Sequence, residues 1–154
     1  MEDFLRQLEA LCDGTKNNIS LLSNASALLN DELSDINWVG FYLIDKNELI
    51  LGPFQGKVAC TNIAIGKGVC GTSYEKKMLL NVKNVHEFPG HIACDSRSNS
   101  EIVIPLQYED KCFGVLDIDS TSFSRFTYDD EIKLEKAANI IAKYIASNIK
   151  KDLD

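Results

Sequence analysis

The chain has 154 residues, of which 45% are hydrophobic, and its formal net charge is −7. This length predicts one globular domain, residues 1–154, with a core that needs no disulfide or metal to fold. Lysine and arginine form no stripe, which excludes nucleic acid and anionic membrane surfaces as partners. Neither a secretory signal nor an apolar run of about 20 residues is present, so we expect a cytoplasmic protein.

The sequence has five cysteines. In a reducing compartment permanent structural disulfides are rare, so each cysteine needs another explanation. Each is then a buried thiol, a metal ligand or a catalytic thiol. The odd number and the absence of a CxxC pair indicate neither a disulfide framework nor a zinc ribbon. The five are Cys12, Cys60, Cys70, Cys94 and Cys112.

Helical spacing of apolar residues predicts two helices at the start of the chain, over residues 2–12 and about 16–33. The glycine-rich segment 66–71 forms a turn that enters a short helix, about 69–76. Cys70 lies at the N-terminal end of this helix, where backbone amides hold partial positive charge. A capping box at 127–130 begins a closing helix that reaches about residue 149.

Between these helices, strand composition recurs and the last two segments form a hairpin about Glu109 and Asp110. The order of elements predicts an α+β fold, in which the terminal helices pack on a central antiparallel sheet of about six strands. The predicted strands cover residues 37–44, 49–51, 57–65, 78–82, 101–108 and 111–119.

A polar, turn-rich segment at 88–101 is predicted to be a reactive loop built around Cys94. The thiol is either buried and inert or a catalytic thiolate helped by a histidine or by helix amides. A zinc site made from His86, His91, Cys94 and Cys70 matches no common ligand spacing and is the weakest interpretation.

Alternation along a strand places Trp38 and Tyr42 on one face, where they form either core rings or the wall of a ligand pocket. The same alternation puts Asp117 and Asp119 together, as solvated surface or as a cation or proton site.

Pairing about the hairpin turn sets Glu101 opposite about residue 118, so all three acids could converge. Such a cluster would attract an ammonium group or keep one acid protonated for proton delivery.

Six motifs in chain order resemble those of the free methionine-(R)-sulfoxide reductase family, a catalytic branch of the GAF domain fold. The similarity extends from about Leu21 to the closing helix. The motifs are Asn37-Trp-Val-Gly-Phe-Tyr42, Leu51-Gly-Pro-Phe-Gln-Gly56, Gly66-Lys-Gly-Val-Cys-Gly71, His91-Ile-Ala-Cys-Asp95, Ser100-Glu-Ile-Val103 and Gly114-Val-Leu-Asp-Ile-Asp-Ser120.

The resemblance implies an enzyme that reduces the R epimer of free methionine sulfoxide and uses no bound cofactor. Cys94 matches the attacking cysteine, which becomes a sulfenic acid as methionine leaves. A disulfide then forms, and a thioredoxin-type reductant reopens it. Family members carry a further cysteine ten positions after the one in Gly-Val-Cys-Gly, but Leu80 stands there. A Cys70–Cys94 disulfide is therefore expected.

Cys60 alternates with inward-facing residues of the predicted strand 57–65 and is assigned to the core, and Cys12 and Cys112 are assigned structural roles. By the resemblance, Glu101, Asp117 and Asp119 match acids that hold the substrate ammonium and shape the sulfoxide site, and Trp38 and Tyr42 match the wall around its methyl group. The alternative is a non-catalytic GAF module that senses a small ligand. GAF relatives often pair through terminal helices, so we expect a homodimer.

Overall fold

The computed structural model describes residues 1–91, 94 and 96–153, and side chains as far as residue 151. Ile92, Ala93 and Asp95 of the predicted reactive loop lie outside the described residues. The helices are α1 (Glu2–Asp13), α2 (Asn18–Glu32), α3 (Gly68–Lys76) and α4 (Tyr128–Leu153), with a short 3-10 helix at Val85–Glu87. The strands are β1 (Trp38–Asp45), β2 (Glu48–Gly56), β3 (Asn62–Ala64), β4 (Leu80–Val82), β5 (Ser100–Tyr108) and β6 (Lys111–Ser120).

These strands form one antiparallel sheet in the order β3-β2-β1-β6-β5-β4. The long strands β1, β6 and β5 lie at its centre, and α1, α2 and α4 pack against one of its faces. The α+β prediction, with about six strands and helices from both ends of the chain, is confirmed.

Sequence signals at the helix ends explain where two of the helices begin. The Asn17 side chain accepts hydrogen bonds from the first amides of α2. Thr127 and Asp130 exchange side chain to backbone hydrogen bonds of 2.9 and 3.2 Å, which is the predicted capping box at the start of α4. Within the described part of the chain, none of the helices combines the length and the apolar character that a membrane span requires.

The third predicted strand, residues 57–65, is wrong over most of its length. Only Asn62–Ala64 pairs with the sheet, and it does so at the edge, against β2. β2 itself extends past Pro53 to Gly56. A bulge in the pairing of β1 with β2 accommodates Pro53, which has no amide proton to donate. Residues 57–61 therefore form a connection that crosses the open face of the sheet.

Candidate active site

A small cavity of about 50 Å³ lies on the sheet face opposite α1, α2 and α4. Its floor is made by side chains of β1, β5 and β6. One wall is the start of α3 and another is the connection around Val58 and Ala59, while His91 and Cys94 contribute from the segment before β5. All seven residues predicted to form the site line this cavity.

Strand register brings the three predicted acids together. Glu101 pairs with Asp119 and Val103 pairs with Asp117 across β5 and β6, so the three carboxylates share the cavity face. Glu101 and Asp117 are only 7% and 5% exposed, which excludes the interpretation that Asp117 is simply solvated surface.

The sequence placed Glu101 opposite about residue 118, which is wrong by one position. Pairing shifts between Pro105 and Gln107, because a bulge inserts an extra residue into β6. Gly114 lies in that bulge with φ +148°, and a Cβ atom there would overlap the carbonyl oxygen of Tyr42. The bulge therefore sets which residue of β6 faces Glu101.

Burial and mutual repulsion control the protonation of the acid cluster. Burial, followed by the charges of Asp117 and Asp119, raises the pKa of Glu101 well above its usual range. Burial also raises the pKa of Asp117, while hydrogen bonding with Glu101 and Cys70 acts in the opposite direction. Burial thus favours the protonated form of both carboxyl groups, and the charges of the other two acids add to this effect at Glu101.

Cys70 lies in the first turn of α3 and is 4% exposed. Its Sγ atom donates a hydrogen bond to Oε2 of Glu101 at 4.0 Å. Burial, then the charges of the neighbouring acids, raises the pKa of this thiol well above the ordinary value. The partial positive charge of the helix end does not offset those effects, and the Cys70 thiol is neutral.

The disulfide joins Cys60 to Cys94, with Cα atoms 5.5 Å apart, and Cys70 is a free thiol. The predicted Cys70–Cys94 pairing is therefore wrong, as is the assignment of Cys60 to the core. Strand alternation was applied to Cys60, but the residue lies in the connection between β2 and β3, where alternation has no meaning.

Cys60 is the functional residue that the sequence analysis missed. The spacing of the cysteines could have identified it, because Cys60 precedes Cys70 by ten positions. The resemblance instead directs attention to the position ten residues after Cys70, which is Leu80. Leu80 is partly buried and packs in the apolar cluster beside the cavity.

Trp38 and Tyr42 fix the connection that carries Cys60. The indole Nε1 of Trp38 donates to the carbonyl oxygen of Lys57 at 3.1 Å, and the Tyr42 hydroxyl donates to that of Cys60 at 2.9 Å. The Trp38 ring also stacks on Tyr42 and on Phe54, with centroids 6.0 and 5.1 Å apart. Besides walling the cavity, these aromatics hold Cys60 in place.

The two histidines have different surroundings. His91 lines the cavity, and burial, followed by the charge of His86, lowers its pKa, so its ring is neutral at neutral pH. His86 instead lies 2.8 Å from Oδ1 of Asn99 on the surface. The pair does not converge with Cys70 and Cys94 as the zinc interpretation would require.

Comparison with known proteins agrees with this architecture. A GAF domain family model matches residues 17–145. The sheet, the flanking helices and the cavity on the open face thus define a GAF domain protein.

Closer relatives narrow the class. A free methionine-R-sulfoxide reductase of Escherichia coli is 49% identical over 94% of this chain and 88% of its own length. A reduced-form structure of fRMsr from Staphylococcus aureus is 52% identical, covers 92% of both chains and has a TM-score of 0.88. A free methionine-R-sulfoxide reductase from Neisseria meningitidis, solved in complex with its substrate, is 39% identical, covers 97% of this chain and 90% of its own, and has a TM-score of 0.93. The chain belongs to the free methionine-(R)-sulfoxide reductase family.

Proposed function

We propose that the protein reduces free L-methionine-(R)-sulfoxide to methionine with the Cys60–Cys94 pair as its redox centre. The observation that carries the proposal is the disulfide itself, which lies beside a cavity lined by three acids. A dithiol that cycles next to a polar pocket is what a two-electron reductase needs, and membership of the family specifies the substrate.

In the proposed cycle the Cys94 thiolate attacks the sulfoxide sulfur, and the sulfoxide oxygen takes up a proton. The substrate S–O bond breaks, and its oxygen passes as hydroxyl to the Cys94 sulfur. Methionine leaves with the electron pair on its sulfur, and Cys94 is left as a sulfenic acid. The Cys60 thiol attacks that sulfenic acid, so water leaves and the disulfide forms. A thioredoxin-type dithiol then reduces the disulfide by exchange. The sum is one sulfoxide and one external dithiol converted into methionine, water and a disulfide.

We assign the proton delivery to Glu101, because burial and the charges of Asp117 and Asp119 raise its pKa and so favour its protonated form. Asp117 and Asp119 are left to meet the substrate ammonium, through charge-assisted hydrogen bonds worth roughly 1.5 to 3 kcal/mol each. A methionine within a polypeptide has no ammonium group at this position, so the acids would select the free amino acid.

The test follows NADPH oxidation in the presence of thioredoxin and its reductase. We expect turnover with free R-sulfoxide and none with free S-sulfoxide or with a peptide that contains methionine sulfoxide. Equal turnover of all three, or none with any, would contradict the proposal.

Cysteine variants separate the proposed roles. Cys94→Ser should abolish methionine release. Cys60→Ser should release about one methionine per enzyme and then stop, because the sulfenic acid finds no resolving thiol. Cys112→Ser is the matched control, since this free thiol lies outside the cavity lining, and should keep full turnover.

We further propose a homodimer that works in a reducing cytoplasm. Cycling of Cys60 and Cys94 depends on a supply of reduced dithiol, which that compartment provides. Light scattering after size exclusion should give twice the 17.2 kDa chain mass, and a monomer mass would exclude the dimer.

A further inference from the structure

We propose that Cys70, Glu101 and Asp117 form a binding site for a thiophilic divalent metal ion, with Zn²⁺ as the physiological candidate. One ligand atom from each side chain lies within 4.8 Å of the other two, and all three residues are buried. The three come from different elements, α3, β5 and β6, whose packing fixes their positions.

The distances are close to what zinc requires. Zinc binds sulfur at about 2.3 Å and carboxylate oxygen at about 2.0 to 2.2 Å in a tetrahedron, which sets sulfur and oxygen about 3.5 Å apart. Sγ of Cys70 and Oε2 of Glu101 are 4.0 Å apart. A shift of about half an ångström between these two side chains would bring their ligand atoms to the separation that zinc requires. The ligand atom of Asp117 lies within 4.8 Å of both.

A separate observation points to a missing ligand. Oδ1 of Asp117 is buried and, among the described residues, has no hydrogen-bond partner. The residue is 5% exposed and lines the cavity, so this oxygen has lost its water without gaining a donor. A buried carboxylate oxygen in that condition is costly, and a bound cation would stabilise it.

The ligand set favours zinc, cobalt or cadmium over magnesium or calcium. Metal binding displaces the protons of Cys70 and Glu101 into solvent. The resulting thiolate is a soft ligand that prefers the former ions, whereas the latter require shells made of oxygen. The cavity of about 50 Å³ leaves room for a water molecule as the fourth ligand. The ligand types therefore match a tetrahedral, thiophilic ion.

The site overlaps the cavity assigned to the sulfoxide substrate. Zinc bound there would occupy two of the acids and block entry, so the metal would act as a competitive inhibitor of the reductase. That inhibition rests on the proposed function, whereas the binding itself does not.

The binding test uses Co²⁺ with the metal-free, fully oxidised protein. The Cys60–Cys94 disulfide removes those two sulfurs from competition, so a thiolate signal must come from another cysteine. We expect one equivalent of Co²⁺ to give the near-ultraviolet thiolate-to-cobalt charge-transfer band, and one equivalent of Zn²⁺ to abolish it.

Variants identify the ligands in the same assay. Cys70→Ser should remove the band, and Asp117→Asn should weaken Co²⁺ binding at least tenfold, with thermal melts confirming that both fold. Cys112→Ser is the matched control and should leave the band unchanged. A band that survives Cys70→Ser, or no band with the native protein, overturns the site.

The inhibition arm measures turnover of free R-sulfoxide against added Zn²⁺. The Michaelis constant should rise and the maximal rate should stay constant. If the protein had no reductase activity the cobalt titration would still decide the metal site, so failure of the proposed function and failure of the site are distinguishable. Zinc-insensitive turnover in a protein that binds cobalt would contradict the overlap with the substrate.

Discussion

The two faces of the central sheet use the same strands for opposite purposes. Toward α1, α2 and α4, β1 and β6 present Val39, Phe41, Leu116 and Ile118, all of them 0% exposed. One residue along, the other face presents aromatics, carboxylates and, from α3, a thiol. Burial on the first face stabilises the fold by roughly 1.5 to 3 kcal/mol per large side chain. Burial on the second face opposes it, because carboxyl groups lose water there.

The largest expected effect comes from the helix-packed face. Phe41→Ala should lower the free energy of unfolding by about 3 to 5 kcal/mol, because it leaves a cavity among fully packed side chains. Denaturant titration measures the loss, and turnover per folded molecule at low temperature should remain near the native value. A large loss of turnover with unchanged stability would show that the faces are not separate in function.

On the cavity face, substitution of a buried residue should raise stability instead of lowering it, and the size of the gain should depend on pH. The raised pKa of Glu101 means that the folded protein keeps a proton that the unfolded chain releases above about pH 4. Stability should therefore fall as pH rises toward the folded pKa, by up to about 1.4 kcal/mol per pH unit. Glu101→Gln should reduce that slope, leaving the part that Asp117 contributes, and be the more stable protein at pH 7.

Denaturant titrations of the oxidised protein between pH 4 and 8 measure this difference. Glu109→Gln, at the exposed hairpin turn, is the matched control and should keep the native slope. Identical slopes for native protein and Glu101→Gln would mean that Glu101 ionises in the fold as it does in water.

The smallest effect concerns a hydroxyl that orders the redox connection. Tyr42→Phe removes the hydrogen bond to the Cys60 carbonyl, worth about 0.5 to 1.5 kcal/mol, and should slow disulfide closure roughly 2- to 10-fold. The rate of disulfide closure is measured by adding one equivalent of sulfoxide and alkylating the remaining free thiols at successive times.

Tyr144→Phe provides the matched control on the helix-packed side, where the hydroxyl binds Glu9 at 3.0 Å. This variant should close its disulfide at the native rate. Equal closure rates for all three proteins would show that Tyr42 does not position Cys60.

The periodic parts of the fold could be predicted, and so could the residues that face the cavity. Helical spacing marked α1, α2 and α4, and alternation placed Asp117 and Asp119 on one face because β6 is regular there. The connection at 57–61 could not be predicted in this way. Its path depends on hydrogen bonds from Trp38 and Tyr42, which are contacts between residues about 20 positions apart that no local pattern encodes.

The disulfide partner was missed for the same reason. Once residues 57–65 were interpreted as a strand, Cys60 was assigned to the core, and Cys70 remained the only candidate near Cys94. The register error at Glu101 is smaller and has a local origin, because a bulge changes the count of residues along one strand without changing its composition.

The bulge at Gly114 has a consequence for how the protein tolerates mutation. A straight hairpin would pair Glu101 with Ile118 and turn Asp117 and Asp119 toward the helices, so an apolar layer would receive two carboxylates. Gly114 lines no part of the cavity, yet its backbone conformation decides which side of the molecule bears the acids. In a saturation mutagenesis screen scored by reductase activity, position 114 should be as intolerant of substitution as Cys94.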